Sequence, residues 1–164
     1  ILLVPNGWHR LDAPAYKTRY PDLAVYCPAH ARKRVAKVVA VDGTYDALPG
    51  TPPLVVRALD GVGQQEGYLE LADDAGTTLI FNDAVFNQPH LPGTFGFVYR
   101  LIGSSGGPRV TPLIKLFMVK DKRALRAQLE KLAETPRLAR VIMAHGQRVE
   151  HEPGAFLRQV AATL

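Results

Sequence analysis

Three side chains stand just beyond apolar, strand-like segments: His9 after Ile1 to Val4, Asp83 after Thr77 to Phe81, and His145 after Leu138 to Met143. Open α/β folds build their sites at the carboxyl ends of strands, so residues in such places can converge from distant parts of the chain. Two imidazoles and one carboxylate are a workable ligand set for a divalent cation that keeps one position open to water, as in mononuclear zinc or non-haem iron sites. Spacing alone also admits a plainer reading, in which a chain with five histidines sets some of them near strand ends by chance. Both readings stand at this level.

The surrounding residues carry two readings each. Asn6 could orient a water or a substrate carbonyl, and it equally suits the turn Pro5-Asn6-Gly7. Asp12 could serve as a base, and it equally suits a helix N-cap. Trp8 could stack on a substrate or simply fill space. No catalytic acid, base or nucleophile is assigned by the sequence. Cys27 reads as a small core residue, since no histidine is assigned to pair with it. His30, His90 and His151 read as solvent-facing. The run Gly103-Ser104-Ser105-Gly106-Gly107 lacks the Gly-Lys-Ser/Thr ending that places the lysine and the metal-binding hydroxyl of a P-loop, and reads as a mobile loop.

The elements that must position these residues follow a β/α rhythm. Ile1 to Val4 is an apolar strand, Ala13 to Tyr20 a helix stopped by Pro21, Leu23 to Tyr26 a short strand, and Ala29 to Val35 a short basic helix. Between Val38 and Asp60 the pattern loosens, with Pro49, Gly50, Pro52 and Pro53 as breakers before the strand at Leu54-Val55-Val56. Tyr68, Leu69 and Leu71 form a strand, Asp73 to Gly76 a turn, and Thr77 to Phe81 the second arm of a hairpin that ends at Asn82-Asp83. Gln88 to Pro108 reads as loop. Thr111-Pro112 starts a helix through Met118, and Asp121 caps another in which Leu125, Leu129 and Leu132 recur on one face. Leu138 to Met143 is a strand, and Pro153 to Leu164 an amphipathic closing helix.

Composition bounds what these elements can build. With 164 residues and 47% hydrophobic content, residues 1–164 are expected to form one domain. Apolar runs are too short for a membrane span. The single cysteine cannot form an intramolecular disulfide, which favours a reducing, cytoplasmic setting. A net charge of +5 permits attraction to anions. The basic clusters Arg32 to Lys37 and Lys120 to Arg126 lack the interleaved aromatics of a base-stacking platform, so nucleic acid is not the expected partner. The chain opens on Ile1-Leu2-Leu3-Val4 without an initiator methionine, an apolar strand already under way, so upstream strands are expected to be missing. A sheet edge bared in that way could be covered by homodimerisation.

The stretch Leu3-Val4-Pro5-Asn6-Gly7-Trp8-His9, followed by a helix and then by Tyr20-Pro21-Asp22-Leu23-Ala24-Val25-Tyr26-Cys27-Pro28, resembles the first strand, metal loop, helix and next strand of the metallo-β-lactamase fold superfamily. Leu79-Ile80-Phe81-Asn82-Asp83 resembles its strand with the metal-bridging aspartate, and Val141-Ile142-Met143-Ala144-His145-Gly146 its final strand and histidine. The similarity is to an uncharacterised branch with an Asn-x-x-His segment in place of the usual His-x-His-x-Asp-His. It implies a four-layer αββα metallo-β-lactamase-like sandwich of two mixed sheets flanked by helices, of class α/β.

Laid over that motif, His9 takes the last histidine, while Val4, Asn6 and Trp8 take the first histidine, the second histidine and the aspartate. The middle histidine, sought between Gly61 and Gly67, has no counterpart there. The resemblance therefore implies that the first metal position is lost and that His9, Asp83 and His145 keep three ligands of the second. One divalent metal, zinc, iron or manganese, would then serve hydrolysis of a small ester, lactone, thioester or phosphoester, its water made a nucleophile by a lowered pKa. The alternative is a non-catalytic member, with no metal and a relic site that binds a small ligand or serves an interaction.

Overall fold

The structure, a computed structural model, describes residues 1–48, 50 and 52–164. Its first sheet contains strands β1 (Leu2–Leu3), β2 (Val25–Cys27) and β3 (Gly43–Thr44), in that order and all parallel. Parallel neighbours need a crossover. Helix α1 (Ala13–Arg19) supplies the first, and a 3-10 turn at Ala29–Ala31 running into α2 (Arg32–Val35) supplies the second. The crossovers bury Ala13, Ala31 and Val35 against Val4, Val25 and Cys27, which makes a small apolar core on one side of the sheet.

The second sheet holds β4 (Leu54–Ala58), β5 (Gly67–Asp73), β6 (Gly76–Gln88), β7 (Gly107–Arg109) and β8 (Leu138–Gly146). β5 and β6 form an antiparallel hairpin whose turn is held by Asp73, which accepts hydrogen bonds from the N–H groups of Ala75 and Gly76. β8 lies parallel to β6. Helices α3 (Gly93–Leu101), α4 (Pro112–Phe117), α5 (Lys122–Leu132) and α6 (Pro153–Ala162) complete this half. Thr111 caps α4 through the N–H of Ile114, and Asp121 caps α5 through those of Arg123 and Ala124, as their side-chain chemistry predicts. Leu125, Leu129 and Leu132 of α5 and Phe156, Leu157 and Val160 of α6 pack with Leu79, Phe81 and Val141 of the sheet. Each such side chain contributes roughly 1.5–3 kcal/mol by leaving water.

Helices thus cover the outer face of each sheet, giving the helix–sheet–sheet–helix order that the sequence implies. Four details differ from expectation. The first sheet is wholly parallel among the described residues rather than mixed, because each of its connections is a right-sized crossover. The expected loop from Gln88 to Pro108 contains α3 and β7, and Ser104 and Ser105 within its Gly-rich part are buried, with His90 hydrogen-bonded to Ser105. β6 does not end at Asn82-Asp83 but runs to Gln88. The stretch from Val38 to Asp60 also holds β3, and Pro49, one of its expected breakers, lies outside the described residues. Among the described residues no helix is long and apolar enough to cross a membrane.

Candidate metal centre

The site begins with an irregularity in β6. Its ladder with β8 pairs Phe81 with Met143 and then Phe86 with His145, so residues 82–85 stand opposite Ala144 alone. A bulge of this kind leaves backbone N–H groups without ladder partners, and buried N–H groups must find others. Glu66 supplies them. Its carboxylate, fully buried, accepts from the N–H of Asn82 at 3.2 Å, Asp83 at 3.0 Å and Ala84 at 3.0 Å. Burial pushes the Glu66 carboxyl up to about 7, with the N–H of Ala84 pulling the other way, the Asp83 charge adding to the rise and the Asn6 amide opposing it.

The bulge turns Asp83 toward the loop that follows β1. There Asn6, also buried, uses every part of its amide: Nδ2 donates to Asp83 Oδ2 at 2.7 Å and to Glu66 Oε2 at 3.2 Å, while Oδ1 accepts from the N–H of Trp8 at 2.9 Å and His9 at 3.0 Å. The turn role expected of Asn6 and a role at the site are therefore one arrangement. By closing the Asn6-Gly7-Trp8-His9 turn, Asn6 aims His9 at Asp83.

On the free oxygen of Asp83 two imidazoles meet. His9 Nε2 lies 3.0 Å and His145 Nε2 2.8 Å from Oδ1. The His145 ring stacks on its register partner Phe86, with centroids 4.6 Å apart and planes 13° from parallel, which fixes its plane. Burial disfavours charge on Asp83, yet the hydrogen bond from His145, the charge of His9 and the Asn6 amide outweigh it and hold the carboxyl below its ordinary range. The carboxylate is ionised and only 5% exposed, whereas the side chains of His9 and His145 are 42% and 33% exposed and leave a way in from solvent.

This donor set fits a cation. One ligand-type atom from each of His9, Asp83 and His145 lies within 4.8 Å of the others, the only such group among the described residues. Neighbouring ligand atoms of a tetrahedral site with bonds of ~2.0–2.1 Å stand about 3.3 Å apart, close to the separations from Asp83 seen here. The set is anionic, nitrogen-rich and short of a fourth protein ligand, the composition of a site that keeps a place for water.

The other expected residues fall elsewhere. Trp8 is 38% exposed and lines a cavity beside the site. Asp12 precedes α1, but its exposed carboxylate makes no capping bond, and it is not part of the His9–Asp83–His145 group. Val4 is buried among apolar residues. Cys27 is buried in the same core, and burial pushes its thiol up, away from nucleophilic use. Glu66 was not foreseen. Its one sequence signal is that it is the carboxylate of the Gly61–Gly67 stretch, where the resemblance places the middle histidine.

No protein-family model and no curated protein sequence matches the chain. Solved structures do. The chain is similar to a metallo-β-lactamase from Pontibacter korlensis at a TM-score of 0.61 and 13% identity, covering 99% of this chain and 69% of that one. It is similar to the DIM-1 metallo-β-lactamase exposed to ceftazidime at a TM-score of 0.55 and 14% identity, covering 98% and 66%, and to DIM-1 itself at 0.55 and 12%, covering 98% and 68%. The chain spans about two thirds of the length of these proteins. It has the metallo-β-lactamase fold.

Proposed function

We propose that this chain is a mononuclear metal-dependent hydrolase of a small ester, lactone, thioester or phosphoester. The observation that carries the reading is the meeting of His9 Nε2 and His145 Nε2 on one oxygen of an ionised Asp83, from three separate parts of the chain. In this reading His9, Asp83 and His145 hold one zinc, iron or manganese ion. When bound, such an ion polarises a carbonyl or phosphoryl oxygen and lowers the pKa of a water. Asn6 occupies Oδ2 of Asp83, which leaves Oδ1 to face the two histidines. Phe86 keeps His145 in plane, and Glu66 holds the bulge without reaching the open side.

The family's first metal position is lost in this reading. Val4 is committed to the core, and Asn6 is tied to Glu66 where two histidines would be needed. A second reading has its own support: the hydrogen bonds among Asn6, His9, Asp83 and His145 form a closed polar cluster without any ion, as a non-catalytic relative would have. Elemental analysis separates the two. Loaded with zinc, iron or manganese and then dialysed, the chain is expected to retain about one ion, as a three-ligand site does. His9→Ala and His145→Ala are each expected to retain none, while still melting cooperatively. Absence of metal from the wild-type chain under every loading would leave the second reading in place.

A further inference from the structure

A cavity of about 410 Å³ opens beside the candidate centre, within the size range of small-molecule sites. It is lined by Asn6 and Trp8 of the metal loop, by His30, Lys33 and Arg34 of the 3-10 turn and α2, and by Gln65, the neighbour of Glu66 in the chain. The cavity and the centre share Asn6, whose amide donates to Asp83 and whose Oδ1 holds the Trp8 and His9 backbone. A molecule seated in the cavity therefore lies one side chain away from Asp83.

The electrostatics of this lining are one-sided. Among the described residues, no aspartate or glutamate lines the cavity. Among the described residues, neither Lys33 nor Arg34 is ion-paired with a carboxylate, unlike Arg57, Arg126 and Arg140 elsewhere on the surface. The Arg34 stem runs across the α-carbon of Gly7, where a Cβ would stand 2.8 Å from Cδ, so the absence of a side chain at Gly7 lets the arginine reach over the metal loop. The partly exposed Trp8 lines the same cavity. Two unneutralised cations, one of them a guanidinium able to grip two oxygens, together with an aromatic face, select a small organic anion with a flat apolar part.

We propose that this cavity binds the anionic end of the substrate, a carboxylate or a phosphate, through Lys33 and Arg34, with Trp8 covering the adjoining apolar part. The inference rests on the hydrolase reading only in naming its substrate class; anion binding itself needs no metal. Trp8 is the sole tryptophan of the chain and hence a built-in reporter. Chelator-treated wild-type protein is titrated with phenyl phosphate, benzoate and phenol while Trp8 fluorescence is followed.

Saturable changes with phenyl phosphate, benzoate or both, absent with phenol, are expected, and the stronger of the two identifies the anion. The double variant Lys33→Gln/Arg34→Gln, altered only at exposed positions, should bind at least about ten-fold more weakly, as loss of two charge-assisted contacts requires. An equal response to phenol, or an unchanged double variant, overturns the proposal. Metal retention without any anion response would sink this inference and leave the hydrolase reading standing; anion binding by a chain that never holds metal would do the reverse.

Discussion

The residue on which the candidate centre depends most is one that touches no incoming ligand. Each oxygen of Glu66 is committed: Oε1 accepts from the N–H of Asn82 and Ala84, and Oε2 from the N–H of Asp83 and the Asn6 amide. In Glu66→Gln one of these oxygens becomes an NH2 group, and whichever way the amide turns, two donors are left facing a donor. Buried unsatisfied groups cost about 1–3 kcal/mol each. The variant should therefore lose roughly 2–6 kcal/mol in urea-unfolding experiments, in spite of its unchanged size. It should also hold metal more weakly, since the bulge that presents Asp83 is no longer tied down. Retention of wild-type stability would mean that the bulge holds itself. The grouping of His9, Asp83 and His145 was legible in the sequence because each stands just beyond an apolar, strand-like segment. Glu66 was not, because its partners are backbone N–H groups, and a bulge leaves no mark in residue types.

At the scale of elements, the sequence revealed strands and helices wherever apolar spacing or a capping side chain announced them: the α5 leucines, the Thr111 and Asp121 caps, and the β5–β6 turn. It hid α3, whose Gly93 and Gly96 argue against a helix by propensity, and the far half of β6, where Asn82-Asp83 looks like a stop. Pairing with β7 and β8 overrode the second of these signals. The end of β8 shows how tightly that pairing holds the site. Gly146, directly after His145 and paired with Asn87, has φ +112°, and a Cβ there would lie 2.2 Å from the Asn87 carbonyl. Gly146→Ala meets both a disfavoured backbone conformation and a clash with main chain, so β8 must pull away from β6. A loss of about 2–3 kcal/mol is expected, seen as a Tm lowered by roughly 5–10 °C for a chain of this size. Because His145 moves with the strand end, metal retention should fall as well. A stable variant with full metal content would show that the strand end is not what places the histidine.

At the scale of the molecule the described residues form two apolar cores, one with each sheet, and the polar seam of Asn6, Glu66, Asp83 and the two histidines lies between the sheets. His9 comes from the loop after β1 in the first sheet, while Asp83 and His145 come from β6 and β8 in the second. An ion held by all three would tie the two halves together and would stabilise the native state by mass action, about 2.7 kcal/mol at a concentration of one hundred Kd. α3 lies outside this coupling: Gly96 is its one buried residue, and Phe95, Phe97 and Leu101 are exposed. Hydrogen exchange should therefore divide the chain into three classes. Amides of β6, β8 and α5 exchange slowest with or without metal, because the larger core governs them. Amides of α3 exchange fastest among the helices of eight or more residues, and metal leaves them unchanged. Amides of Trp8 and His9, held only by the Asn6 side chain in the free protein, become slower on metal addition, and β2 behind them follows. If metal protects Asp83 and its neighbours in β6 while the Trp8 and His9 amides stay as fast as before, the ion does not bridge the sheets, and His9 is not among its ligands.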